Sequence, residues 1–314
     1  MVLGNAPRPR RSRLRLAGGL ALAGVALAGC AASVAPIAPG TIAVVAAESQ
    51  YADVVSQVGG RYVSVVAVMN NPNADPHGFE VSPSVAREVA RARLVVQNGA
   101  GYDDFMRVVE EATPSPRRHV VVAQRVLGLA ASIPNPHLWY DPVTMPAVAA
   151  AIESDLSRID PAHRAYFAAR LTRFDAAMGE LRATIAAFHA RYAGRRVATT
   201  EPVGDYLLSA LGLVNDTPFR FQADVMNGVD PAPQDVGTVE TLVTARRVSA
   251  LLVNAQVSSP VTSTLTGLAE SSHVPVVALY ETMPRGFDYQ RWMRAEIDAI
   301  EKALTTGRST RRLT

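Results

Sequence analysis

The feature that most constrains this chain is an uninterrupted apolar stripe near its middle. Its members alternate at spacings of four and three residues, and they are Phe167, Leu171, Phe174, Met178, Leu181, Ile185, Phe188 and Tyr192. This spacing keeps them all on one side of an α-helix. Asp160-Pro161 is a typical helix start and Gly194 a typical stop, which predicts a helix of about 30 residues and about 45 Å. We expect a bridging helix over 159–194 that contacts two domains.

The same stripe has a second interpretation. Because its spacing is heptad-like, it could pair with a second copy of the chain in a dimeric coiled coil. Folded domains on either side of the helix could cover the stripe equally well. We favour burial of the stripe by these flanking domains and expect a monomer.

Short β-branched runs alternate with helical patterns on both sides of this helix. The predicted strands are 42–46, 63–68, 94–97 and 120–123 before it, and 196–200, 213–218, 251–254 and 274–279 after it. The predicted helices include 84–92, 205–211, 233–245 and 289–304. Strands separated by helices indicate parallel sheets. The sequence therefore predicts an α/β fold with two pseudo-symmetric lobes, 41–158 and 195–304, and a flexible tail over 305–314.

The N-terminal segment has the pattern of a targeting signal. An Arg-rich stretch over 8–15 precedes an apolar run over 16–28, which is too short to cross a bilayer but is typical of a signal peptide. The run ends in Leu27-Ala28-Gly29-Cys30, which resembles the bacterial lipobox, and Cys30 is the only cysteine. We expect a signal peptide over 1–29, a lipidated Cys30 at the mature N-terminus, and a tether over 30–40. An ordinary signal peptide with an incidental cysteine is the alternative, and export by the Sec or the twin-arginine route stays open.

The charge distribution argues against a nucleic-acid partner. The formal net charge is +3, but five arginines lie in the first 29 residues, which hold no acidic residue. The rest of the chain has 26 basic and 28 acidic residues. A nearly neutral body gives no reason to expect polyanion binding.

Four potential metal ligands follow predicted strands at comparable places in the two halves. His77 and His137 lie in the first half, and Glu201 and Glu281 lie in the second. Loops beyond the carboxyl ends of parallel strands are where open α/β sheets bind ligands. Two imidazoles and two carboxylates would give a divalent cation four ligands and cancel its charge, and this mixture suits zinc or manganese better than calcium or copper(I).

Each of these residues also has a simpler interpretation. The histidines could be ordinary surface or hydrogen-bonded residues, Glu201 could stabilise a helix start before Pro202, and Glu281 could be an exposed loop acid. The remaining histidines fit the simpler interpretation better, and they are His119, His163, His189 and His273.

The motifs around both histidines carry a family resemblance. Asp75-Pro76-His77 with Glu80, and Asn135-Pro136-His137-Leu138-Trp139 with Asp141-Pro142, resemble the ligand regions of bacterial zinc/manganese solute-binding lipoproteins. The resemblance extends to about Trp292. It implies two α/β lobes joined by a rigid helix, with His77, His137, Glu201 and Glu281 holding a metal between them. Glu201 falls where this family carries His or Glu.

Two departures from the family pattern concern the metal. Glu281 falls where most members carry Asp, so its side chain is one methylene longer. The His-rich loop of many zinc-binding members is missing, since residues 112–136 hold only His119.

The function that these features predict is capture of a divalent metal, with zinc favoured and manganese next. As the resemblance implies, the metal is cargo delivered to the membrane subunit of an ABC permease, by a protein held outside the cytoplasm by its lipid. We expect no enzyme activity and no catalytic cofactor. A zinc hydrolase and a surface adhesin are the alternatives, but the chain has no His-Glu-x-x-His helix, Gly-x-Ser-x-Gly turn or phosphate-binding glycine loop.

The lipobox resemblance generates the first prediction. A Cys30→Ser substitution removes the only thiol that a lipid could modify, so the protein should leave the membrane fraction. Fractionation followed by mass spectrometry of the N-terminal peptide measures this, with Ser33→Ala as the control. Unchanged detergent-extractable retention of the Cys30→Ser protein would contradict lipidation.

Overall fold

The computed structural model describes residues 1–4, 38–73, 79–130 and 132–313. The chain divides into two compact units, Met1–Ser33 and Val34–Thr314. Residues 1–4 of the first unit have no regular secondary structure. The expected signal core, Cys30 and most of the tether lie outside the described residues.

The first lobe is built on a four-stranded parallel sheet. Its strands are β1 (Ile42–Glu48), β2 (Val63–Met69), β3 (Leu94–Gln97) and β4 (His119–Val122). They lie in the order β2-β1-β3-β4, and Val44 of β1 pairs with Val65 on one side and Leu94 on the other. The helices are α1 (Ser49–Gly59), α2 (Pro83–Arg91), α3 (Asp104–Ala112), α4 (Ala123–Val126) and α5 (Thr144–Ile159). The central strands β1 and β3 are buried on both faces, which is why Val, Leu, Ile and Ala fill every position except the last of each strand.

The predicted bridging helix is α6 (Arg164–Tyr192), which follows one 3-10 turn at Pro161–His163. Six members of the apolar stripe are buried, and they are Phe167, Phe174, Met178, Leu181, Ile185 and Phe188. These side chains belong to one core cluster that also contains residues of both lobes. The lobes therefore cover the stripe, which leaves it unavailable for the alternative coiled-coil pairing.

The second lobe repeats the architecture of the first. Its strands are β5 (Arg196–Thr199), β6 (Val214–Asn215), β7 (Leu251–Asn254) and β8 (Val276–Leu279), in the parallel order β6-β5-β7-β8. Its helices are α7 (Asp205–Ala210), α8 (Phe219–Met226), α9 (Pro233–Thr244), α10 (Pro260–Ser271) and α11 (Tyr289–Thr306). Each sheet places its own strands in the order second, first, third, fourth. The predicted α/β fold with two similar lobes and a bridging helix is confirmed.

The end of the chain differs from the flexible tail expected over 305–314. Helix α11 continues to Thr306 and ends at Gly307, which has the left-handed conformation that glycine tolerates. Thr310 then accepts a hydrogen bond from Ala278 N and donates one to Val276 O, both at 2.9 Å. The physical reason is that β8 is an edge strand, whose unpaired backbone groups bind this segment.

Among the described residues, no helix combines the length and the apolar character needed to cross a membrane.

Candidate metal centre

His137 lies at the junction of the two lobes, immediately before a 3-10 turn at Leu138–Tyr140. Its side chain is fully buried. Asn135 Nδ2 donates to Pro202 O at 2.7 Å, so the amide oxygen of Asn135 must face the imidazole. The distance from Asn135 Oδ1 to His137 Nδ1 is 2.8 Å. The ring therefore donates through Nδ1 and directs Nε2 toward Glu281, whose Oε2 lies 3.3 Å away. Asn135 fixes the tautomer that a metal-binding histidine requires.

The two predicted carboxylates reach this junction from the second lobe. Glu201 follows β5 and Glu281 follows β8, each after one intervening residue, and both are buried. In the sheet, β7 lies between β5 and β8. Its last residue, Asn254, donates through Nδ2 to Glu201 Oε2 at 3.0 Å and to Glu281 Oε1 at 2.5 Å. Strand order thus explains why residues 80 positions apart meet at one amide.

Glu281 is also held by the first lobe and by its own loop. The Tyr102 hydroxyl donates to Glu281 Oε2 at 2.8 Å, and Gln50 Nε2 of α1 donates to Glu281 O at 3.3 Å. Gln256 Oε1 accepts from the backbone N–H groups of Glu281 and Thr282 at 2.7 and 2.8 Å. These contacts fix the position of Glu281 against His137.

The fourth predicted ligand, His77, belongs to residues 74–78, which lie outside the described residues. Within the part of the chain that the structure describes, no three His, Cys, Asp or Glu side chains are placed so that they could hold a metal ion. His137 contacts Glu281 directly, and Glu201 connects to Glu281 through Asn254. The structure therefore brings three of the four predicted residues to one junction without arranging them as a finished cage.

A buried acid beneath the junction supports the Glu281 loop. Glu296 of α11 lies with Oε1 at 2.8 Å from Trp292 Nε1, 2.9 Å from the Tyr140 hydroxyl and 3.2 Å from Tyr280 N. The Tyr140 hydroxyl donates to Tyr280 O at 2.7 Å. Burial raises the pKa of Glu296 to about 8. The Tyr140 hydroxyl therefore lies between the buried acid and the carbonyl of Tyr280, the residue that precedes Glu281.

A second buried acid supports the loop that carries Tyr102. Asp103 accepts from the backbone N–H groups of Asn98 and Gly99 at 2.6 and 2.8 Å. Burial raises the pKa of Asp103 to about 6, and burial followed by the neighbouring Asp103 charge raises the pKa of Glu48 well above its ordinary value. Asn98 Nδ2 in turn donates to Pro136 O at 2.8 Å, which ties this loop to the segment before His137.

An open cavity of about 440 Å³ adjoins the junction on the Tyr102 side. Its lining includes Tyr102, Pro136, Phe79, Phe105 and Met226. Tyr102 and the residue preceding His137 are therefore shared between this cavity and the polar junction.

The other histidines lie away from the junction in ordinary settings. His119 Nδ1 contacts Asp155 at 3.0 Å, and His163 Nδ1 contacts Asp160 at 2.6 Å while its ring stacks on Tyr62. His189 and His273 are exposed. None of these four approaches the contacts made by His137.

Sequence reasoning missed the residues that position the predicted ligands. Each of them contacts a residue far away along the chain or in the other lobe, and they are Asn254, Tyr102, Asn135 and Glu296. One signal was available for Asn254, a polar residue at the carboxyl end of an otherwise apolar strand. Asn135 also stands out, because it belongs to the motif around His137.

The two lobes have the same strand order, one helix bridges them, and polar side chains are buried at their junction. These features define a two-lobe solute-binding protein. The family described as zinc-uptake complex component A, periplasmic (ZnuA), matches residues 44–303. The chain belongs to this family, whose members are metal-binding, solute-binding components of ABC importers.

Individual relatives agree with this membership. The manganese-binding lipoprotein MntA of Bacillus subtilis is 24% identical over 304 residues, which cover 89% of this chain and 95% of the relative. The periplasmic zinc-binding protein TroA of Treponema pallidum has a similar fold, with a TM-score of 0.72, 18% identity and coverage of 84% of this chain and 99% of TroA. The solute-binding protein FpvC of Pseudomonas aeruginosa, solved with Mn²⁺, has a TM-score of 0.70, 21% identity and coverage of 84% and 98%.

The second prediction concerns the buried acid Glu296. Folding raises its pKa from an ordinary value of 4.5 to about 8, so the folded protein holds a proton that the unfolded chain releases between these values. The resulting stability is fully present below pH 4.5 and is lost as the pH rises through about 8, with a limiting slope of about 1.4 kcal/mol per pH unit. Glu296→Gln keeps the shape of the protonated acid and removes this dependence.

Thermal melting from pH 5 to 9 tests this prediction by comparing the wild type with Glu296→Gln. Glu301→Gln, on the same helix, is the control and should follow the wild type. Wild-type and Glu296→Gln stabilities that change in parallel over the whole range would contradict the assignment.

Proposed function

We propose that this chain binds one divalent transition-metal ion between its lobes, with zinc preferred over manganese, and delivers it to the membrane subunit of an ABC permease. The proposed ligands are His77, His137, Glu201 and Glu281. The observation that carries the proposal is the burial of a first-lobe imidazole 3.3 Å from a second-lobe carboxylate, with a second buried carboxylate joined through Asn254.

The chemistry of the described donors supports a metal. Burying ionised carboxylates is costly unless they are paired, hydrogen-bonded or bound to a cation. The donors that reach Glu201 and Glu281 from Asn254 and Tyr102 are neutral. A divalent cation placed between His137 Nε2 and the carboxylates would offset the cost of burying these charges. Imidazole and carboxylate together suit borderline ions such as zinc and manganese.

The choice of zinc follows from intrinsic affinity. At a given nitrogen and oxygen site, the affinity of first-row divalent ions rises from manganese toward zinc. The relatives differ among themselves, since MntA is named manganese-binding, TroA is named zinc-binding and FpvC is solved with Mn²⁺ or Ni²⁺. We therefore propose zinc as the tighter ligand in vitro and manganese as the next.

The proposed location is the outer face of the cell membrane, with the chain anchored through a lipid on Cys30 and acting as a monomer. The Leu27-Ala28-Gly29-Cys30 sequence supports this, as do the names of the relatives MntA and SloC of Streptococcus mutans, which are both called lipoproteins. A lipid tether would keep the protein close to its permease while leaving its lobes in water.

Zinc hydrolysis is the weaker candidate. A catalytic zinc site needs a coordination position held by water. The family and the relatives described above are named for metal uptake or metal binding. We therefore propose no enzyme activity for this chain.

The third prediction tests the metal centre. Removing His137 deletes one proposed ligand, so a cation bound beside the buried carboxylates would have one donor atom fewer. Loss of a residue that only orients a ligand weakens metal binding by about 10–100-fold. Because His137 is itself a proposed ligand, we expect His137→Ala to weaken zinc binding by more than this. The His77→Ala, His137→Ala double variant should lose binding further. His189→Ala, at an exposed histidine of α6, should bind as the wild type does.

Elemental analysis of protein purified without added metal gives the stoichiometry, and competition titration gives the affinities. Zinc at about 100 times its dissociation constant should stabilise the wild type by about 2.7 kcal/mol. That stabilisation should disappear in the double variant. One metal per chain and near-normal affinity in the double variant would refute the assignment, and a manganese affinity equal to that of zinc would refute the metal order.

A further inference from the structure

Helix α1 of the first lobe carries a polar stripe that faces the second lobe. The members of this stripe, Ser49, Asp53 and Gln57, are four residues apart, so they lie one above the other on one side of the helix. The apolar side chains of the same helix are buried in the core, and they are Tyr51, Val54, Val55 and Val58. The helix therefore packs through its apolar side and keeps a separate row of polar side chains for other contacts.

The first two members of the stripe bind the connecting segment, residues 280–288, and the helix that follows it. This segment joins β8 to α11 in the second lobe. Met283 N donates to Ser49 Oγ at 3.2 Å. Tyr289 N, at the first position of α11, donates to Asp53 Oδ2 at 2.9 Å. The connecting segment is thereby held to the first lobe near its start and just beyond its end.

The third member of the stripe, Gln57, extends the same contact into α11. Gln57 Nε2 donates to Gln290 Oε1 at 2.9 Å, and Gln290 Nε2 donates to Gln57 Oε1 at 3.2 Å, which makes a reciprocal amide pair. Gln57 Nε2 also donates to Asp53 Oδ2 at 2.6 Å, so one carboxylate oxygen accepts from both lobes. The backbone O of Gln57 accepts from Arg170 Nε of α6 at 2.6 Å, so the bridging helix supports this end of the stripe.

Asp53 is the charged member of the stripe, and its position suits a helix N-terminus. The first N–H groups of a helix have no partner within the helix, and the helix dipole favours carboxylates beside them. Asp288, the N-cap of α11 in its own lobe, accepts from Arg291 N at 2.8 Å. Asp53 accepts from Tyr289 N across the lobe junction. The start of α11 is thus bound by one carboxylate from each lobe.

We propose that Asp53 is a positioning residue that holds the connecting segment, and with it Glu281, against the first lobe and thereby slows the release of a bound metal. The proposal rests on the proposed metal-binding function and deepens it. A movement of the connecting segment away from the first lobe would carry Glu281 away from His137. That movement would have to break the hydrogen bonds of the stripe. Asp53 acts on Glu281 through Tyr289 and the chain between them, and the coordinating atoms are left as they are.

The effect should fall on the rate at which the metal leaves. Among variants of one binding interface, most differences in affinity lie in the dissociation rate. Residues that orient a metal ligand through another group contribute about 10–100-fold to metal affinity. Because Asp53 acts from the far end of the connecting segment, we expect an effect at the lower limit of this range.

The fourth prediction compares zinc release from the wild type, Asp53→Ala, Asp53→Asn and Asp288→Ala, each as the full chain loaded with zinc. Stopped-flow mixing with a chelator measures the rate, at chelator concentrations above which the rate no longer rises. Asp53→Ala removes the shared acceptor and should release zinc about tenfold faster, equivalent to about 1.4 kcal/mol. Asp53→Asn retains an oxygen that can accept from Tyr289 N and Gln57 Nε2, so it should restore the wild-type rate.

Asp288→Ala is the matched control. It removes a carboxylate from the same helix start but breaks a bond within one lobe. We expect Asp288→Ala to lower the melting temperature, as loss of a helix cap does, and to release zinc at the wild-type rate.

Hydrogen–deuterium exchange of the metal-free proteins supplies a readout that does not depend on metal. The backbone amides of residues 281–283 should exchange faster in Asp53→Ala than in the wild type and in Asp53→Asn. Asp288→Ala should leave the exchange of these amides unchanged, because its own contact lies in the first turn of α11.

Equal acceleration of zinc release in Asp53→Ala and Asp288→Ala would overturn the proposal, because capping of α11 would then explain the effect without a bond between the lobes. A wild-type release rate in Asp53→Ala would overturn it as well, and so would acceleration in Asp53→Asn equal to that in Asp53→Ala. Failure of the underlying function has a different signature, since the wild type would then take up no zinc. Exchange of residues 281–283 would still test the hold on the connecting segment, and identical exchange in the wild type and Asp53→Ala would refute that hold.

Discussion

Burial of one face of α6 against both lobes is the interaction on which the rest of the structure depends. Phe167 lies near the start of the stripe and Phe188 near its end, and both belong to the core cluster that contains residues of β1 and β7. A helix bends sharply only at a proline, at small-residue pairs or at an inserted bulge. Between Arg164 and Tyr192 there is no proline and Gly179 is the only glycine. The helix therefore holds the strand ends of the lobes in a fixed relation, and we expect metal binding to rearrange loops more than lobes.

That fixed relation makes a strongly acidic interior possible at the junction. Glu201, Glu281 and Glu296 are all buried there, and neutral groups such as Asn254, Tyr102 and Trp292 donate to them. Glu296 responds by holding its proton, because burial raises its pKa to about 8. The carboxylates beside His137 have a different solution available, since a cation can bind them. The same junction thus contains an acid that supports the loop and acids that are suited to a metal.

Much of the fold could be predicted from local patterns, and the site only in part. The strands at Leu94–Gln97 and Leu251–Asn254 match their predicted bounds, because short buried parallel strands read as continuous apolar runs. His137, Glu201 and Glu281 could be singled out because each follows a strand or belongs to a recognisable motif. Asn254 and Glu296 could not be assigned roles, because their partners are set by strand order and helix packing. The pairing of Thr310 with β8 was hidden for the same reason, since an edge strand leaves no mark on the sequence of the segment that binds it.

The most direct measurement is a crystal structure of the full chain with zinc, located by anomalous scattering at the zinc edge. We expect one strong peak at the lobe junction, about 2.0–2.2 Å from His137 Nε2 and from one oxygen each of Glu201 and Glu281. A zinc peak elsewhere on the molecule, with these three side chains still in contact only with protein groups, would contradict it.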